Sequence, residues 1–179
     1  MITIYFESHG TTTDNQAGLA SGWNDPSLSV LGEKQSKEMA TRYKEVHLDV
    51  VFPSDQKRAV QSAEIAFKAW GVPIIPDTRL RECNYGDLNG TAEQQVKPLK
   101  PAHIKEPFPN GESYEQTTKR MKSFLTDLLH NNDGKTVMIV GSRATQYGLE
   151  NLINKVPLEV IIPAKWSWQP GWVYKLFDV

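Results

Sequence analysis

The chain has 179 residues, 39% of them hydrophobic and 23% charged, with a formal net charge of −1. That size and composition suit a soluble protein built around one core, so a single domain over 1–179 is expected. The balanced charge gives no global attraction to nucleic acid or to an anionic membrane, and any affinity for anions has to come from a local cluster.

Residues 2–6 (ITIYF) are rich in β-branched and aromatic side chains and predict a buried strand, too short to cross a bilayer. No basic region followed by a secretory apolar core precedes it, and a cytoplasmic location is expected. Residues 10–29 are polar and aperiodic, a long loop of the kind that is more often functional than idle. Ser36, Met39, Ala40 and Tyr43 recur at helical spacing and predict an amphipathic helix over 30–46. DVVF at 49–52 reads as a second strand, Ser54-Asp55 as the cap of the next helix, and Gly71 as its end. In that helix Ala59, Ala63, Ala66, Phe67 and Trp70 fall on one face.

Val72–Ile75 is expected to form a short third strand. The segment 76–111, rich in proline, glycine and lysine, predicts an irregular cover with a short helix near 91–97. It holds the chain's one cysteine, Cys83, which excludes an internal disulfide and fits a small buried apolar residue in a reducing compartment. A strong apolar stripe (Tyr114, Met121, Phe124, Leu125, Leu128) marks a helix over 112–130. TVMIV at 136–140 is the most buried-looking strand, followed by a helix near 144–154 and a closing strand near 172–177. This alternation predicts a three-layer α/β/α sandwich with a mainly parallel central sheet. The ligand site of such a sheet lies at the carboxyl ends of its strands.

Three polar clusters fall at those ends, at 7–15, 53–58 and 141–145. They bring His9, Arg58 and Arg143 toward one place, and Glu82 leads the covering segment toward it. Arginine forks bind phosphate oxygens bidentately and helix N-termini add backbone donors. A neutral imidazole can attack phosphorus while a carboxylic acid protonates the leaving alkoxide. The set suits a phosphomonoester or inorganic phosphate.

The motifs resemble those of the histidine phosphatases, the phosphoglycerate mutase-like superfamily. That family opens on Arg-His-Gly-x-Thr-x-x-Asn, and Ser8-His9-Gly10-x-Thr12-x-x-Asn15 matches all but the first place. Gly22-Trp23-Asn24-Asp25, the run Leu28 to Gln35, the run Ser54 to Ala63, Leu80-Arg81-Glu82 with Tyr85-Gly86, and Gly111-Glu112-Ser113 follow in the family's order. The resemblance implies that His9 is phosphorylated during turnover and that Glu82 is acid and then base. It implies that Arg58 and Asn15 hold the phosphoryl group, and that no metal or organic cofactor takes part. Thr12, Ser21 and Gly22 are candidate substrate contacts, and Lys97, Lys100 and Lys105 candidate cations of the cover.

Two positions depart from the pattern. Ser8 stands where the family has arginine, and Ser142 where it has its second histidine. Both remain candidates for contacting phosphate, beside Arg143, but a serine offers only a neutral hydrogen bond. The expected function is therefore a phosphatase for a small phosphorylated metabolite, impaired rather than abolished. The alternatives are an inactive relative that binds a phosphorylated ligand or a protein partner, and mutase-type transfer. Trp166, Trp168 and Trp172 offer either an aromatic patch for a homodimer or the packing of a final edge strand.

Overall fold

The computed structural model describes residues 1–178. Its central sheet has the order β3-β5-β1-β6, formed by β1 (Ile2–Ser8), β3 (Val50–Pro53), β5 (Thr136–Gly141) and β6 (Trp172–Leu176). β1, β3 and β5 run parallel, and β6 pairs antiparallel with β1. Alternation along the strands divides the core into two faces. Ile2, Ile4, Phe6, Val137 and Ile139 pack with Met121, Phe124, Leu125 and Leu128 of α5 (Tyr114–Asn131) and Leu149 of α6 (Arg143–Leu152). Val51, Met138 and Val140 pack on the opposite side, against Met39 and Tyr43 of α2 (Val30–Tyr43) and Ala59, Ala63 and Phe67 of α3 (Lys57–Phe67). The result is the expected α/β/α sandwich.

The 10–29 loop carries a single helical turn, α1 (Thr13–Gln16), and β2 (Leu19–Ala20). β2 pairs with β4 (Thr91–Ala92) and so ties this loop to the covering segment. From β4 the chain enters α4 (Glu93–Val96) and the 3₁₀ stretch Lys97–His103. A third apolar cluster lies beneath this cover and includes Cys83, Tyr85, Val96, Phe108, Tyr114 and Tyr147. A short helix, α7 (Leu158–Ile161), which the sequence did not signal, contributes Leu158 to the same cluster. Among the described residues no helix is long and apolar enough to cross a membrane.

Three local expectations need correction. Val72–Ile75 is not a strand but makes isolated bridges, Val51 to Ile74 and Ser54 to Asp77. Pro73 falls on the side of the segment that faces β3, where its missing N–H interrupts the ladder. The cap of α3 is Gln56, with no side-chain capping bond, while Ser54 Oγ accepts from the Gln56 amide. α3 ends at Phe67, and a 3₁₀ turn at Lys68–Trp70 precedes the left-handed Gly71. Trp70 is therefore partly exposed, with its ring edge-on to Phe67.

The turn after β1 lies directly on the start of α2. Ser29 donates from both its amide and its hydroxyl to the Thr11 carbonyl, and Ser29 Oγ accepts from the Gly32 amide. A Cβ on Gly10 would collide with the Gly32 carbonyl, and one on Gly32 with the Thr11 carbonyl. Both collisions are with backbone, which cannot swing aside. Gly32→Ala is expected to lower stability by about 1–3 kcal/mol, read as a shift in the urea midpoint. An unchanged midpoint would show that the turn and helix can separate without cost.

Candidate active site

Parallel pairing of β1 with β5 fixes the centre of the site. Ser8 lies opposite Gly141, and the His9 amide donates to the Gly141 carbonyl at 2.9 Å, carrying the ladder one residue beyond β1. His9 and Ser142 are thereby placed side by side. His9 Nδ1 lies 2.8 Å from the Gly10 carbonyl oxygen. A carbonyl can only accept, so Nδ1 carries the proton and Nε2 presents its lone pair. Burial, reinforced by the nearby Arg58 charge, lowers the imidazole pKa to about 4. His9 is neutral at pH 7.

Arg58, in the first turn of α3, is buried. Its Nη1 donates to the Asn24 carbonyl at 2.8 Å, and its Nη2 to the Gly22 carbonyl at 2.8 Å and to Gln56 Oε1 at 3.0 Å. Gln56 Nε2 donates to the same Gly22 carbonyl, and Gln56 Oε1 also accepts from the Glu82 amide. Gln56 thus joins the arginine, the 22–24 loop and the acid. Its amide can accept and donate at once, which neither a carboxylate nor a cation can do.

Glu82 is buried, accepting from the Cys83 amide at 2.8 Å and from the Ala144 amide of α6 at 3.4 Å. Burial raises its carboxyl, but Lys100, the Cys83 amide, Arg58 and Arg143 outweigh it and hold the group below the usual carboxylate range. Of the three cover lysines, Lys97 and Lys105 are exposed and only Lys100 is buried at the site, its ammonium 5.3 Å from the centre of the Tyr85 ring.

A cavity of about 540 Å³ is lined by Ser8, His9, Asn15, Ser21, Gly22, Arg58, Glu82, Lys100, Ser142 and Arg143. Thr12 is the exception among the residues expected from the sequence to be catalytic, to hold phosphate or to contact substrate. It is fully buried and does not line the cavity, because its hydroxyl caps α1 by accepting from the Asn15 amide. Asn15 Oδ1 in turn accepts from the Thr12 amide at 3.0 Å, and Ser21 Oγ donates to Asp14. Ser142 caps α6, with its amide donating to Thr145 Oγ1 at 3.0 Å. Arg143 does not swing freely. Glu93 holds it at 3.1 Å and its guanidinium lies 4.7 Å from the centre of the Trp166 ring. Trp166 and Trp168 both line the cavity, and Trp172 packs on Phe6 and stacks with Trp166. None of His47, His103 and His130 lines it; His103 stacks on Phe108. Among the described residues no group of three or more His, Cys, Asp or Glu side chains is placed to hold a metal ion.

The chain around this site is similar to known proteins over most of its length. The profile of the histidine phosphatase superfamily (branch 1) covers residues 4–163, and the chain belongs to that superfamily. It is 28% identical over 173 residues to a Hydrogenobacter thermophilus protein named "Putative phosphoserine phosphatase 2", covering 86% of this chain and 84% of that one. It is 30% identical over 166 residues to the 2,3-bisphosphoglycerate-dependent phosphoglycerate mutase of Cytophaga hutchinsonii, covering 86% and 78% of the two chains. Among solved structures, Bacillus stearothermophilus YhfR shares the fold with a TM-score of 0.86 at 24% identity, over 99% of this chain and 92% of its own. A mycobacterial glucosyl-3-phosphoglycerate phosphatase solved with VO3 gives 0.81 at 22% identity, over 89% and 85%.

The depressed His9 pKa makes stability depend on pH. The imidazole titrates near 6.5 when unfolded and near 4 when folded. Between those values the unfolded chain binds more protons. The contribution of neutral His9 is thus complete above about pH 6.5 and is lost as pH falls toward 4. His9→Asn should flatten the slope of unfolding free energy across that window. Equal slopes for both proteins would place the imidazole in solvent.

Proposed function

We propose that the protein is a phosphomonoesterase that acts through a phosphohistidine at His9 on a small phosphorylated metabolite. The observation that carries this reading is the fixed tautomer of His9. A neutral ring with Nδ1 held by its own chain presents Nε2 to the cavity that Arg58 and Glu82 also line. In the first step Nε2 attacks phosphorus and the bond from phosphorus to the ester oxygen breaks. Arg58, Asn15 and the hydroxyls of Ser8 and Ser142 hold the equatorial oxygens, with Arg143 at the rim. Glu82 passes a proton to the departing alkoxide. A bound phosphate dianion sets its charge against that of Arg58, Arg143 and Lys100, which lifts the Glu82 carboxyl so that it can carry this proton. In the second step water gives a proton back to Glu82 and attacks phosphorus, and the phosphorus–nitrogen bond breaks.

None of these steps calls on a metal, so turnover is expected to survive chelation. The relatives' names include both a phosphatase and a mutase, and the same phosphohistidine serves either if an alcohol replaces water. Two neutral hydroxyls at positions 8 and 142 stabilise developing charge less than a guanidinium and an imidazole would. This favours slow turnover, with ligand binding as the residual role if turnover is nil.

Hydrolysis of an aryl phosphate, with mass spectrometry of the quenched protein, tests the reading. His9→Ala should abolish both turnover and the phosphoryl adduct. Glu82→Gln should slow alkyl phosphates by about 10²–10⁴ and aryl phosphates, whose leaving group needs less help, by less. Ser142→His should raise kcat by roughly 10²–10³. Wild type without turnover and without an adduct would overturn the enzymatic reading. Because His9 stays neutral, the acid limb of its kcat/KM profile should lie near pH 4 rather than 6.5.

A further inference from the structure

The cavity continues past the His9 cluster into a second lobe along β1 and α2, lined by Glu7, Gln35, Glu38, Met39 and Arg42, with Trp168 at its mouth. Glu7 precedes His9 by two residues. It therefore shares the strand face of His9, with Cα atoms about 7 Å apart. Glu7 is fully buried, in a strand whose other residues from Ile2 to Phe6 are apolar or hydroxylated. Its Oε1 accepts three hydrogen bonds, from Arg42 Nε at 3.1 Å, Arg42 Nη2 at 3.0 Å and the Tyr43 hydroxyl at 3.0 Å. Its Oε2, buried as well, has no donor among the described residues. A buried carboxylate oxygen left without a donor is costly, and apolar packing would serve a strand better if folding alone set this residue.

The charges of the lining are divided in space. Around His9 stand Arg58, Lys100 and Arg143 against Glu82 and Glu93, three cations to two anions, or +1. In the second lobe Arg42 stands against Glu7 and Glu38, one cation to two anions, or −1 among the lining residues, with Lys34 outside the lining 3.9 Å from Glu38 at the exposed rim. Such a cavity suits a ligand with a negative end and a positive end. Glu38 is exposed at the rim, one turn before Arg42, whose guanidinium lies 5.8 Å from the Trp168 ring centre. The positive end would first meet Glu38 and then the buried carboxylate.

We propose that this lobe is an ammonium subsite, and that the preferred phosphomonoesters are esters of amino alcohols whose ammonium group donates to Glu7 Oε2. An ammonium fits better than a hydroxyl because the lining residues of the lobe sum to a negative charge and a charge-assisted bond to a carboxylate is roughly twice as strong as a neutral one. The inference rests on the phosphomonoester reading of the His9 end.

The test is a set of ω-aminoalkyl phosphates with chains of two to six carbons, each paired with the alkyl phosphate of equal length. Binding is measured by titration calorimetry and turnover by phosphate release. Wild type should favour the amine over its methyl-ended partner by about tenfold or more, with an optimum at an intermediate length. Glu7→Gln should erase most of that preference, and Glu38→Gln, at the exposed rim, a smaller part of it. If Glu7→Gln does not fold, as judged by circular dichroism, the wild-type series and Glu38→Gln give the answer. Equal binding of amine and alkyl partners at every length, or a preference untouched by the variants, overturns the subsite. Calorimetry keeps the two readings apart. A preference for amines without turnover sustains the subsite while the enzymatic reading fails, and turnover without preference does the reverse.

Discussion

Everything at the site depends on the parallel register of three strands. β1, β3 and β5 end at one level because Ser8 pairs with Gly141 and Pro53 with Val140. The residue after each end, or the first turn of the helix that follows, then faces the same space. His9 is held there by one more hydrogen bond of the ladder, from its amide to Gly141. A slip of one residue would turn His9 to the other face of the sheet. The apolar alternation of Ile2, Ile4 and Phe6 against Val137 and Ile139 opposes such a slip. Packing in the core thus sets the geometry of the polar end.

A second tier of control comes from side chains that join elements rather than face a ligand. Gln56 binds Arg58, the Gly22 carbonyl and the Glu82 amide at once. Arg120 of α5 does similar work behind the site, donating to the carbonyls of Arg79, Arg81 and Glu82 and to the Glu112 carboxylate. Glu82 is therefore braced from both sides, by α3 and by α5. A carboxylate so placed feels Arg58, Arg143 and Lys100 in a setting where little water screens them.

Much of this was legible in the sequence. Strand and helix types followed from apolar period, and the motifs from Ser8 to Asn15, Ser54 to Ala63 and Leu80 to Glu82 pointed to residues that line one cavity. What was not legible depends on tertiary partners. Thr12 and Asn15 carry equal weight in a motif, yet only the fold shows that the Thr12 hydroxyl caps a helix while Asn15 borders the cavity. Lys97, Lys100 and Lys105 are alike in sequence, and the turn of the 3₁₀ stretch decides that Lys100 alone is buried. Glu7 fell in the polar cluster after the first predicted strand, with no role of its own. Its partners, Arg42 and Tyr43, lie some 35 residues away on α2, a separation no local pattern spans. The Val72–Ile75 expectation failed for a local reason that was visible, since a proline within a short apolar run demotes it as a strand.

That proline-broken segment has a consequence for how the folded molecule meets its neighbours. Residues 72–77 form the outer margin of the sheet beyond β3, where open backbone groups invite another chain to add a strand. The Ile75 and Asp77 amides point inward to Val51 and Pro53. By alternation position 76 points outward, and its proline has no hydrogen to offer. An incoming strand would find its pairing interrupted at Pro76 and little regular length before it. Pro73 costs the sheet a fifth strand on the inner side of this segment, and Pro76 guards its outer side against edge-to-edge aggregation.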